Sequence, residues 1–385
     1  MATNTVVINV VVIVIVCVVV VFCPGSVTSD DMVPIPQQKS EVEGWFKANV
    51  QPLPGRKGLD PALTAAEAAP VHIAVGKGGK FKTIQEAVNS IPHKNTKRHI
   101  INIAGGIYKE RVKIEPDKHF VTFYGDPKDR PTIDAAATAA QVGTIYSATL
   151  YVLSDYFMAV NINVKNSAPR PSGKPDQQAV ALTISGNKAA FYNCKFYGFQ
   201  DTVCDNIKKH FYKDCYIEGT VDFFFGDAKS IILNTELHVF PGDTMAMVTA
   251  HGRKSAIEDT GLSFVQCRIT GSADPKAKVA VLGRAWFPFA KVVFIYSDIC
   301  GAIRPEGWFG MNNSLTDGAS TYFGEYKNTG PGSGMAKRPK FVKKLTDAEA
   351  HPFITLAFIE ASKWLLPPIT KAVQANSTKF RSRLN

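Results

Sequence analysis

The sequence predicts an all-β chain wound as a parallel β-helix, a solenoid with short helical extensions at its N-terminal and C-terminal ends. Three observations carry that prediction. From Ile100 onward the chain breaks into short β-rich runs such as FVTFYG and AVALTISG, separated by Gly, Asn and Asp. Helical periodicity is almost absent until about Asp347. One pattern, a small residue, any residue, an apolar residue, any residue, then Gly, returns as CKFYG (194–198), CYIEG (215–219), CRITG (267–271) and SDICG (297–301). INVKN (162–166) and TELHV (235–239) are looser copies, and the shortest interval is 21 residues. A fixed period with inward positions stacked on themselves marks a solenoid. Cys194, Cys215 and Cys267 are then stacked core thiols and not bridges. The alternative, a β-sandwich, gives no reason for identical coil positions to recur.

The elements follow in chain order. Val6 to Phe22 is a nearly unbroken apolar run, and CPGS (23–26) follows it. Residues 1–26 read as a secretory signal peptide, although basic residues before the apolar run are missing. A membrane-anchoring helix is the alternative, since 17 residues is at the short limit for a span. Residues 27–68, rich in Pro, Gln, Ala and charge, are expected to form an N-terminal extension with a short helix or two. GKGGKFKTIQEAVNSIP (76–92) reads as a glycine-rich turn, a helix from about Thr83 to Ser90 and a proline stop. Its glycines lack the spacing of a phosphate loop. The β-helix domain is expected over 69–366 and a C-terminal tail over 367–385.

The chain of 385 residues is 45% hydrophobic, enough for a large core. Lys and Arg number 44 against 33 Asp and Glu, a net charge of +11 that favours an acidic partner. No basic segment is interleaved with aromatics and no nucleic-acid module is present, so nucleic acid is not expected. A polyanionic polysaccharide suits a secreted chain better; the bland alternative is a basic protein with no electrostatic partner. Sequons at Asn312 and Asn376 are compatible with glycosylation. Signal removal would leave Cys194, Cys204, Cys215, Cys267 and Cys300, an odd number, so a monomer keeps at least one free thiol. Without CxxC or a His-rich cluster, no metal site is expected.

The repeat also aligns chemistry. With Cys194 set on Cys215, Gly198 falls on Gly219 and Asp201 on Asp222. Successive coils of a β-helix lie roughly 4.8 Å apart, which would bring the two carboxyls side by side. Two such groups cannot both ionise comfortably, so one is expected to hold its proton while the other stays charged beside a cation. That split separates an acid from a nucleophile or base. The structural alternative is an Asn/Asp-type turn ladder. Gln200 precedes Asp201, and Gln178 stands 22 residues earlier, again one coil away. Two converging amides suit an oxyanion hole. LGRAW (282–286) adds Arg284, able to grip a carboxylate bidentately, and Trp286, a flat apolar face.

QAVAL, GFQDT, DFFFG and LGRAW, in that order, resemble the signature blocks of plant pectinesterases (pectin methylesterases). GIYKE (106–110), VTAHGR (248–253), RPEGW (304–308) and FGEYKNTGPG (323–332) support the resemblance, which spans roughly Val71 to Leu365. It implies a right-handed parallel β-helix that uses no metal or organic cofactor, and it is similar to the type without an inhibitor-like pro-region. It further implies that Asp222 is the nucleophile, Asp201 the general acid/base, Gln178 and Gln200 the oxyanion hole, and Arg284 the group that orients Asp222. Trp286, Phe225 and Tyr146 would line the sugar cleft. The implied substrate is methyl-esterified homogalacturonan, cleaved to methanol and pectate by a secreted, monomeric cell-wall enzyme that a proteinaceous inhibitor could bind. Cys204 and Met311 replace aromatic residues common in such clefts, LGRAW replaces LGRPW, and GKGG replaces a more typical DGSG.

Two rival functions find less support in the sequence. A β-helical glycoside hydrolase would carry NTD, DD and GHG; AHGR (250–253) is the nearest approach and lacks the first glycine. A non-catalytic pectin-binding protein would have no need of Asp201, Asp222, Gln178, Gln200 and Arg284 together. No GxSxG occurs, which leaves a serine esterase unsupported.

Overall fold

The computed structural model describes residues 31–53, 56–240, 245–271 and 279–370. The expected signal segment, with Cys17 and Cys23, lies outside these residues, as do Asn376 and the tail beyond 370. At each corner where a new copy of the repeat opens, one residue takes the left-handed conformation. These are Asn161, Asn193, Asp214, Asn234, Gln266 and Tyr296, with φ of 60°, 52°, 57°, 49°, 57° and 54°. Asn and Asp reach this region at low cost because their short polar side chains bond locally. Each corner redirects the chain into a strand parallel to the one a coil below. The register is the one the repeat implies: Lys195 pairs Tyr216, Tyr216 pairs Glu236, Glu236 pairs Arg268 and Arg268 pairs Asp298.

Among the described residues three parallel sheets result, of eleven, eight and eight strands. The first runs from Val71–Val75 to Val342–Lys344, the second from Gly106–Lys109 to Asp298–Ile299, and the third from Val112–Ile114 to Trp308–Phe309. Val71–Val75 precedes the region read as β-rich; it is the edge strand of the first sheet and pairs with His99–Ile103. The helix expected near Thr83 spans Ile84–Asn89 and starts on a Thr83/Glu86 capping box. Its buried face of Ile84, Ala87 and Val88 joins the core at the end of the solenoid.

Inside, rings stack from coil to coil. Phe191 lies on Tyr212 at 4.7 Å between centroids, Phe224 meets Phe264 at 5.3 Å, and Phe264 lies on Phe294 at 4.6 Å. Cys194, Cys215 and Cys267 are free, buried members of the same core. Burial pushes the Cys194 and Cys267 thiols up to about 12, so they stay protonated packing groups. The outer face of the first sheet is covered too. Helices Val42–Asn49 and Pro61–Glu67 and the C-terminal 3-10 turns bury Phe46, Leu63, Ile354 and Leu365 with Phe211 and Ile231 of the sheet. The third sheet keeps its outer face for other use.

Candidate active site

On the outer face of the third sheet one ladder row reads Thr183, Cys204, Phe225, Ala250, Arg284, each paired with the next. The adjoining residues Val203 and Phe224 point into the core. Asp201 and Asp222 each stand two residues before that paired Val203 and Phe224, so they hold equivalent places on successive coils. The Asp201 N–H donates to the Val221 carbonyl at 3.0 Å. Both aspartates have positive φ, 65° and 52°, on a corner that turns their side chains out of the strand direction.

Asp222 accepts from Arg284 Nε at 2.9 Å through Oδ1, and a second guanidinium nitrogen reaches its Oδ2. The bidentate grip raises the Arg284 pKa further. Among the described residues Asp201 has no such partner. It is 8% exposed. Burial pushes its carboxyl well above the usual range, the neighbouring Asp222 charge adds to the shift, and Arg284 offsets part of it. Two chemically identical side chains, one coil apart, thereby sit in different surroundings: Asp201 is biased toward its protonated form, and Asp222 is gripped by Arg284.

These groups line a cleft of about 290 Å³ together with Gln178, Gln200, Phe225 and Trp286. The 22-residue spacing of the glutamines exceeds the 21-residue register of Leu182 and Val203. The extra residue is absorbed where Ala181 and Leu182 N–H both donate to the Thr202 carbonyl, at 2.8 and 3.2 Å. The Gln178 side-chain oxygen is buried with no hydrogen-bond partner among the described residues. Trp286 is 42% exposed and meets Phe225 edge-on at 6.0 Å. Its ring lies against Gly252, where a Cβ would come within 3.0 Å.

Tyr146 is set apart from this lining. It is 59% exposed at the rim, its ring edge-on to Tyr151 at 6.0 Å. Its neighbours Thr144 and Ile145 line the cleft instead, and Ala250 forms part of the floor. None of those three was singled out from sequence; of them only Ala250 carried a signal, as part of the VTAHGR block. Cys204 is 1% exposed beneath Ile145 and Tyr151, so the thiol supports the floor and offers no cleft surface. Met311 packs against the main core. His251, in the same VTAHGR block, is fully buried and lowered by that burial to about 3. Its Nδ1 accepts the Lys291 N–H at 3.0 Å, so the ring is neutral and structural. Among the described residues no group of three or more His, Cys, Asp or Glu side chains could hold a metal ion.

The protein is thus a parallel β-helix with two stacked carboxyls in an open groove, one of them gripped by an arginine, and comparison with known proteins gives its family. The pectinesterase family profile matches residues 70–362. Pectinesterase 1 of Olea europaea is 54% identical over 347 residues, covering 89% of this chain and 93% of its own. The carrot pectin methylesterase structure superposes with a TM-score of 0.70 at 31% identity, over 79% of this chain and 97% of that one. A pectin methylesterase solved in complex with a hexasaccharide gives a TM-score of 0.66 at 27% identity, over 78% and 99%. The chain belongs to the pectinesterase family, carboxylic ester hydrolases that remove methyl esters from pectin.

Proposed function

We propose that Asp222 is the nucleophile and Asp201 the general acid/base in hydrolysis of a galacturonate C6 methyl ester. The observation that carries this reading is the split between the stacked carboxyls: Asp222 gripped by Arg284, Asp201 buried and biased toward its protonated form. In the first half-reaction an Asp222 oxygen attacks the ester carbonyl carbon. Negative charge develops on the carbonyl oxygen, where the side-chain amides of Gln178 and Gln200 donate. The unpartnered Gln178 oxygen supports that role, because rotating the amide to present N–H inward breaks no bond made by that oxygen. The C–OCH₃ bond then breaks and methoxide takes the Asp201 proton, leaving methanol and an acyl-enzyme anhydride. In the second half-reaction the Asp201 carboxylate takes a proton from water, and the hydroxide attacks the acyl carbon. Asp222 leaves as carboxylate, and the polymer gains a free acid.

Trp286 and Phe225 offer apolar faces to the sugar rings, with Tyr146 at the rim. A structural relative crystallised with a hexasaccharide supports a stretch of sugars as the occupant. The chain acts on methyl-esterified homogalacturonan in the cell wall as a secreted monomer, with residues 1–26 removed and 69–366 as the catalytic domain. An exposed groove of this kind is also open to a proteinaceous inhibitor.

One experiment tests the reading. Highly methylated pectin is incubated with the protein while methanol, acid and reducing ends are followed. Methanol and acid without new reducing ends are expected. New chain ends would indicate a glycoside hydrolase, and no product at all a binding protein.

A further inference from the structure

Around the corner from the cleft, the outer face of the second sheet carries a connected path of rings. Tyr197 meets Tyr216 at 5.7 Å between centroids, Tyr216 stacks on His238 at 6.1 Å, and His238 meets Phe240 at 5.0 Å. Phe240 then meets Phe199 at 6.1 Å, and Phe199 directly precedes Gln200 of the cleft lining. All five side chains are partly exposed. No element among the described residues needs them as core, since Phe196, Ile217 and Leu237 of the same strands fill the interior.

The charges beside the path are arranged for an anion. Lys195 lies over the Tyr216 ring at 5.9 Å and Arg170 over the Phe199 ring at 5.8 Å. Neither cation has an ion-pair partner among the described residues. Of the acids nearby, Glu236 is paired with Arg268 at 2.7 Å and bonded by Thr270 at 2.9 Å, while Glu218 accepts the Tyr216 hydroxyl at 2.8 Å and is biased by burial toward its neutral form. Flat apolar rings flanked by uncommitted cations match a chain of sugar rings bearing carboxylates. The path ends at Phe199, the residue next in the chain to Gln200 of the cleft.

We propose that this face is a second binding surface for the anionic galacturonan backbone of pectin, holding the polymer beside the cleft and feeding esters into it. It rests on pectin being the substrate of the cleft and adds a function the cleft alone does not have. Tethering the polymer at two places raises the local concentration of ester without changing the chemistry.

The test uses Tyr216→Ala/His238→Ala and, as a milder surface change, Lys195→Glu. Both are made in the active protein and in an Asp222→Asn background. Methanol release from a short methylated oligogalacturonide, too short to reach the second sheet, is expected to be unchanged. KM on long pectin is expected to rise roughly fivefold with kcat unchanged. In the Asp222→Asn background, with the cleft saturated by the short oligomer, retention of polygalacturonate in an affinity gel is expected to fall by a similar factor. Unchanged polymer KM and retention in both variants would overturn the proposal. So would equal losses on short and long substrates, or self-association that buries this face in sedimentation. Failure of the catalytic reading would look different: methanol release persisting in Asp222→Asn itself.

Discussion

The two aspartates at the cleft are separated by environment and not by chemical identity, and each substitution should expose one side of that separation. Asp222→Asn keeps shape but cannot attack a carbonyl, so turnover should fall by at least about 10³-fold with the fold intact. Methanol release and circular dichroism on the same sample check this. Asp201→Asn should also be severely impaired, and it makes a second, opposite prediction for stability. The folded-state pKa of Asp201 is raised by burial and by Asp222. Proton binding by the folded state therefore favours folding fully below the unfolded pKa of about 3.9, and that advantage is lost as pH rises toward the folded value. At pH 7 the wild-type protein carries this cost and the amide does not. Asp201→Asn should unfold at a higher temperature than wild type at pH 7, and the gap should close below about pH 4. Thermal melts at the two pH values decide it.

At the scale of the element, the repeat works because each coil sets one ring upon the last. Phe264, fully buried between Phe224 and Phe294, should cost about 3–5 kcal/mol when changed to Ala, read by urea denaturation. This level was also the most legible from sequence. The spacing of Cys194, Cys215 and Cys267 encoded the register directly, because a stacked position repeats its residue type. The same spacing set Asp201 over Asp222. Val71–Val75 fell inside the expected 69–366 domain but was not read as a strand, since a lone apolar run ahead of a helix has no repeat partner to identify it. Thr144 and Ile145 were invisible for another reason. Their segment is held over the third sheet by a bond from Thr183 Oγ1 to the Ile145 carbonyl at 3.0 Å, a contact between distant residues that no local pattern records. Tyr146 follows from that fold-over: the turn that brings Ile145 into the cleft sends Tyr146 to the rim.

Across the whole molecule, the three sheets divide labour by their outer faces. The first is covered by the chain's own extensions, the third carries the cleft, and the second carries the ring path. The cover is fastened by Arg56, whose guanidinium donates to the carbonyls of Leu365 and Ser362, both at 2.7 Å, and of Ala361 at 3.3 Å. Arg56→Ala leaves these carbonyls without that donor and should lower stability by about 3 kcal/mol, measured by chemical denaturation, while activity per folded molecule is kept. The net charge of +11 suits the same scale: if it draws the protein to an acidic polymer, retention on that polymer should weaken as salt rises. All of this serves one claim, that neighbouring coils hold a protonated carboxyl beside an ionised one at the cleft. The direct measurement is the infrared difference spectrum between wild type and Asp201→Asn, followed from the unfolded carboxylate pKa of about 3.9 upward. A protonated-carboxyl band present in wild type and missing from the variant is predicted; no such band, or one that survives the substitution, would contradict the account.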